Sequence, residues 1–144
     1  MELTDDGYCF VCGPKNPFGL KLNFLFNGNT ISTEFTPKKE HQGYYNIVHG
    51  GIISTLLDEA MVKLAIAKGT PAVTAHMEIR LKKALNVGEK ITVYAEITKD
   101  TKKILEAYAK AVTENDVIIA DATGKLLKVS SAFKVSDSRF DIPR

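Results

Sequence analysis

From Leu20 to Phe35 apolar residues recur at every second position: Leu20, Leu22, Phe24 and Phe26, then Ile31 and Phe35 with Thr33 between them. That period belongs to strands with one buried face. Asn27-Gly28-Asn29 separates the runs with residues that tolerate positive φ, so the pattern predicts a hairpin ended by Pro37. The period then lengthens. Ile53, Leu56, Leu57, Ala60, Met61 and Leu64 recur at helical spacing for about four turns after His49-Gly50-Gly51, and Gly69 with Pro71 stops the run. From Val73 the period of two returns: Val73, Ala75, Met77, Ile79 and Leu81 point one way, and Thr74, His76, Glu78, Arg80 and Lys82 the other. Asn86-Val87-Gly88-Glu89 reads as a turn, Ile91 to Ile97 as a strand, and Asp100-Thr101-Lys102-Lys103 as a turn. Alanine and lysine would favour helix from Leu105 to Val112, but Leu105, Ala107, Ala109 and Ala111 alternate, and the reading is strand. A turn at Glu114-Asn115-Asp116 and the segment Val117 to Phe133 complete an antiparallel meander. A hairpin, one long helix and three or four strands make an α+β layout with the helix lying against the sheet.

Composition narrows the class. A chain of 144 residues, 44% hydrophobic and 25% charged, suits one globular domain over 1–144, with an N-terminal segment at 1–18 and an expected flexible polar tail at 134–144. No apolar run approaches the roughly 20 residues that span a bilayer, and MELTDDGYCF lacks the basic and apolar parts of a secretion signal. The expectation is a cytoplasmic protein with no membrane partner. Nineteen basic and seventeen acidic side chains, a net +2, give no ground for a nucleic-acid partner. Cys9 and Cys12, followed by Gly13, have the spacing of half a zinc site, and the missing ligands would have to come from His41, His49, His76 or acidic groups. The reading is packing of reduced thiols in the N-terminal segment, with no metal and no cofactor. His41 and His76 are expected to face solvent or to support the site from behind rather than to take part in catalysis.

The helix start carries candidate chemistry. Two glycines after His49 leave backbone N–H groups uncovered where the helix provides no partners, and such a terminus can stabilise an oxyanion. At 100° per residue Asp58 lies opposite the main stripe, on a flank shared with Ser54, Met61, Val62 and Ala65 that is itself half apolar. A carboxylate there is expected to have restricted solvent. Glu59 points elsewhere, with Lys63 four residues on in the favourable order for a helix-surface pair. Two apolar faces on one helix exceed what one small sheet covers, so a homodimer or a dimer of dimers is expected.

The stretch from Asn46 to Ala60, NIVHGGIISTLLDEA, resembles the signature of hotdog-fold acyl-coenzyme A thioesterases, in the branch that includes phenylacetate-pathway enzymes. Cys9 to Gly13 with Asn16 to Leu20 resembles the N-terminal segment of many such proteins. The resemblance implies an antiparallel sheet wrapped around one long central helix, with sites formed by paired subunits. It also implies Asp58 as nucleophile or general base, the Gly50 amide as oxyanion donor, His49 as the residue that positions the loop or polarises the thioester, and Thr74 as the hydroxyl that aligns water. Relatives often carry an amide side chain six positions before the HGG histidine, where this chain has Gly43; Gln42 and Asn46 are the neighbouring substitutes. Gly51 joins them as a substrate-binding residue, and Arg80, Lys82 and Lys83 are candidates for the phosphates of coenzyme A. The implied reaction is hydrolysis of an acyl-coenzyme A to acid and thiol, which needs no GxSxG serine. The alternative is a hotdog domain that binds acyl-coenzyme A without cleaving it.

Overall fold

The computed structural model describes residues 3–129 and 134–135. The elements in chain order are β1 (Thr4–Asp5), β2 (Leu25–Asn27), β3 (Thr30–Phe35), α1 (Gly50–Ala67), β4 (Ala72–Leu81), β5 (Ile91–Asp100), β6 (Ile104–Thr113), β7 (Ile118–Lys128) and β8 (Lys134–Val135). Six of the strands form one antiparallel sheet in the order β2-β3-β5-β6-β7-β4, and the long helix packs against it. This is the α+β hotdog arrangement. Leu56, Leu57, Ala60, Met61, Leu64 and Ala65 are fully buried, as their helical spacing requires, and they meet inward residues of the sheet such as Val93, Ala109, Ala122 and Leu126.

Two expectations about the strands change here. The meander holds for β5, β6 and β7, but β4 crosses to the far side of β7 and becomes an outer strand. The first arm of the hairpin shrinks to β2, because Lys21 takes a φ of 54° and the N–H groups of Leu20 and Leu22 donate to Phe10 and Val11 instead of to a neighbouring strand. Through those bonds residues 20–24 tie the N-terminal segment to the core, where Cys9 and Val11 pack in the same cluster. Of the tail expected at 134–144, Lys134–Val135 pair in parallel with β1, and residues 136–144 lie outside the described residues, as do residues 130–133 of the last predicted strand.

The strand after the helix also breaks its own alternation. Thr74 pairs with Leu126, but His76 pairs with Lys125, so Ala75 is the extra residue of a β-bulge. Before the bulge, Thr74 shares the inward side with Leu126; after it, Met77, Ile79 and Leu81 do. The period-two reading assigned Thr74 to the polar outer face, and the bulge turns it toward the helix.

Leu57→Ala removes a side chain enclosed on all sides and should cost about 2–5 kcal/mol in urea denaturation. Leu25 is 72% exposed, and Leu25→Ala should stay within about 0.5 kcal/mol of the parent. Similar losses in the two variants would contradict this core.

Candidate active site

Asp58 stands on α1 facing the bulged part of β4. Thr74 Oγ1 donates a hydrogen bond to Asp58 Oδ1 at 2.6 Å, and both residues are half-buried. The hydroxyl fixes one carboxylate oxygen and leaves the other to act, which suits an oriented base or nucleophile.

His49 is the N-cap of α1, and its Nδ1 accepts the Gly51 N–H at 2.8 Å. That bond commits the Gly51 amide and leaves Nε2 as the protonated nitrogen of a neutral ring. The Gly50 N–H has no acceptor among the described residues. A Cβ at Gly50 would lie 2.8 Å from Leu81 Cδ1, so glycine lets the helix start close against β4. Of the two glycine amides expected to be open, Gly50 alone is.

A groove of about 360 Å³ opens beside this helix start, with Tyr44, His49, Gly50, Ile53, Leu81 and Lys83 among its walls. Gln42 and Asn46 are not part of its wall: Gln42 Oε1 accepts the Asn46 N–H at 3.2 Å, and Asn46 holds a φ of 59° in the loop before the helix. Lys82 lines the groove but is bound to Asp121 Oδ2 at 3.1 Å, and Arg80 Nε binds Asp121 Oδ1 at 2.9 Å. Lys83 is the groove lysine with no ion-pair partner among the described residues.

Two acids outside the predicted set are engaged in clusters. Asp121, buried on β7, takes bonds from Arg80, Lys82 and the Tyr108 hydroxyl. Burial alone would raise its carboxyl, and the bonds from Lys82, Arg80 and Tyr108 outweigh burial and hold it below the usual range. An acid between Ala120 and Ala122, opposite two cations spaced by two at the end of β4 and just past it, was the available signal. Glu59 was expected to form a surface pair. It is instead mostly buried: Cys9 Sγ and Cys12 Sγ each lie 3.4 Å from its Oε1, and Lys63 Nζ, itself buried, lies 4.0 Å away. Burial, then the Cys9 charge, raises the Glu59 carboxyl to about 7. The hydrogen bond from Cys12 lowers Cys9 to about 5, and the same bond pushes Cys12 above its ordinary range. His41 is half-buried against Phe35, and burial lowers its pKa; His76 is exposed.

Comparison with known proteins places the chain in a family. The Thioesterase superfamily model matches residues 45–120, just over half of the chain, from the loop before α1 into β7. The chain belongs to the thioesterase superfamily. Human acyl-coenzyme A thioesterase 13 is 31% identical over 99 residues, which span 67% of this chain and 66% of that protein. The chain thus spans just under two thirds of that relative's length. Among solved structures, a Streptococcus mutans UA159 protein bound to acetyl-CoA superposes with a TM-score of 0.72 at 20% identity, covering 75% of this chain and 88% of that one. The PaaI protein of the E. coli phenylacetic acid degradation operon superposes with a TM-score of 0.71 at 18% identity, covering 75% and 83%. These likenesses establish the hotdog fold. No helix among the described residues is long and apolar enough to cross a membrane.

The Asp121 cluster generates a pH prediction. With its folded value below the unfolded value of about 4, Asp121 contributes stability above that pH and loses it as pH falls through the folded value. Urea denaturation of the parent should therefore weaken more steeply below about pH 4 than that of Asp121→Asn. Parallel curves would refute the assignment.

Proposed function

We propose that the protein hydrolyses acyl-coenzyme A thioesters, as a cytoplasmic homodimer or dimer of dimers whose sites are shared between two copies. The observation that carries this reading is the 2.6 Å bond from Thr74 to Asp58. A β-bulge is spent on turning one hydroxyl toward one carboxylate, and a protein that only binds acyl-coenzyme A has no need of that arrangement.

In this reading Asp58 takes the proton of a water that Thr74 helps align, and the water oxygen bonds to the thioester carbon. The Gly50 N–H and the His49 Nε2–H receive the negative charge that moves onto the carbonyl oxygen. The carbon–sulfur bond then breaks, and coenzyme A leaves as thiol with the proton returned from Asp58. A direct attack by Asp58, giving an anhydride that water opens, uses the same groups. Lys83 is the first candidate for the coenzyme A phosphates, since Arg80 and Lys82 are already engaged by Asp121. Gln42, Asn46 and Gly51 act through the shape of the loop and the cap of the helix rather than by donating to substrate. The name of the human relative and the acetyl-CoA bound by the streptococcal protein support the substrate class.

Sharing follows from helix geometry. Gly50 and Asp58 are eight residues apart, about 12 Å along one axis, whereas a carbonyl's carbon and oxygen are about 1.2 Å apart. One helix cannot serve both atoms. A second copy supplies the other half, and β4, which pairs with β7 on one edge only among the described residues, offers a strand edge for the pairing.

Release of free thiol from a panel of aliphatic and aromatic acyl-coenzyme A esters tests the activity. On the best substrate Asp58→Asn should lower kcat by about two orders of magnitude or more with KM little changed. Thr74→Val should lose about tenfold, the worth of one hydrogen bond to a charged group. Binding without turnover in the parent would leave an acyl-coenzyme A carrier and overturn the proposal, and an unimpaired Asp58→Asn would remove that carboxylate from the chemistry. Light scattering should show at least a dimer; a monomer at micromolar concentration contradicts the shared site.

A further inference from the structure

A second cluster of chemically capable side chains lies on another flank of α1. Cys9 to Gly13 closes a tight turn in which the Gly13 N–H donates to the Cys9 carbonyl at 2.8 Å. A Cβ at Gly13 would fall 2.6 Å from the carbonyl oxygens of Cys9 and Gly7, so the turn admits glycine only. The turn aims both sulfurs at Glu59, and Cys9 Sγ, Cys12 Sγ and a Glu59 carboxylate oxygen lie within 4.8 Å of one another.

We propose that Cys9, Cys12 and Glu59 bind a thiophilic divalent cation, zinc by preference, with solvent in the fourth position. With Zn–S near 2.3 Å and Zn–O near 2.1 Å, a tetrahedral ion separates its sulfur and oxygen ligands by about 3.6 Å. The observed sulfur–oxygen separations are 3.4 Å for each cysteine, close to that value, and all three atoms lie within 4.8 Å of one another. Softness selects the metal: two thiolates exclude magnesium and calcium, and a tetrahedral sulfur-rich site suits zinc.

Charge closes as well. Any proton still held by the ligands goes to solvent on binding, and two thiolates, one carboxylate and a dication leave a net charge of −1. The buried Lys63 ammonium, 4.0 Å from Glu59 Oε1, offsets it. Half-buried cysteines leave the fourth position open to water. The expectation of no metal rested on two cysteines with too few partners; the third ligand comes from the helix, where Glu59 had been assigned to a surface pair. The ion clamps the N-terminal segment to α1 one residue from Asp58 but about 100° around the axis, so it ties the fold and takes no part in turnover. This holds whether or not the chain hydrolyses thioesters.

The test uses tag-free protein purified without chelator. Elemental analysis should find about one zinc per chain, and apoprotein titrated with Co2+ should develop the ligand-field bands of a tetrahedral site together with a thiolate charge-transfer band. Cys9→Ser and Cys12→Ser should abolish the charge-transfer contribution of the altered sulfur. Glu59→Gln, checked for folding by circular dichroism, should weaken zinc binding by about tenfold or more. Chelation should lower the melting temperature of the parent and leave that of the double cysteine variant unchanged. Reduced protein with neither zinc nor a cobalt–thiolate band overturns the proposal. So does zinc that remains in the double cysteine variant, and so does a Cys9–Cys12 disulfide whose reduction restores no metal binding; full affinity in Glu59→Gln removes the third ligand.

Discussion

Burial of one helix along its length governs the rest of the structure. Leu56, Leu57, Ala60, Met61, Leu64 and Ala65 of α1 are fully enclosed, and neither rotation nor sliding of the helix is possible without exposing several of them. Every other side chain on α1 therefore has a fixed direction. Asp58 and Glu59 are neighbours in sequence, yet the turn of the helix sends one to Thr74 on β4 and the other to the thiols of the N-terminal turn. At its start the same helix presents the Gly50 N–H, with His49 committed to capping Gly51.

The elements were legible because their periods are clean. Every residue of the predicted apolar stripe of α1 is buried, joined by Lys63 and Ala65, and β6 is a strand despite its alanines because the sheet buries Leu105, Ala107, Ala109 and Ala111 on one side. What period-two reading could not show is where the period slips. Ala75 is an ordinary strand residue in sequence, and its extra place emerges only from pairing with β7, where Thr74 meets Leu126 and His76 meets Lys125. Lys21 is similar: nothing local announces a left-handed residue in an alternating run, and the competing hydrogen bonds from the N-terminal segment decide it.

Within the candidate site, Asp58, Gly50 and His49 stood out because a carboxylate on a half-apolar flank and glycines at a helix start are local patterns. Glu59 did not, because an i to i+4 acid and lysine read as a solvated pair until the N-terminal segment is seen to cover them. Arg80 and Lys82 were legible as cations and not as cations already taken, since their partner Asp121 lies forty residues away in sequence on β7. Long-range partners are the part of a site that single-sequence reasoning misses.

A shared site is the central claim, and it rests on the length of helix between Gly50 and Asp58. Mixed dimers test it most directly, with one subunit carrying Asp58→Asn and the other Gly50→Pro, which removes the amide N–H at the first helical position, where the added ring displaces only the tip of the exposed Leu81 side chain. Each parent homodimer should retain about a hundredth of the original turnover or less. In the mixed dimer one of the two sites joins the intact Asp58 to the intact Gly50 amide, and turnover should return to about half. A mixed dimer as inactive as its parents would place both groups in one subunit's site and contradict the account.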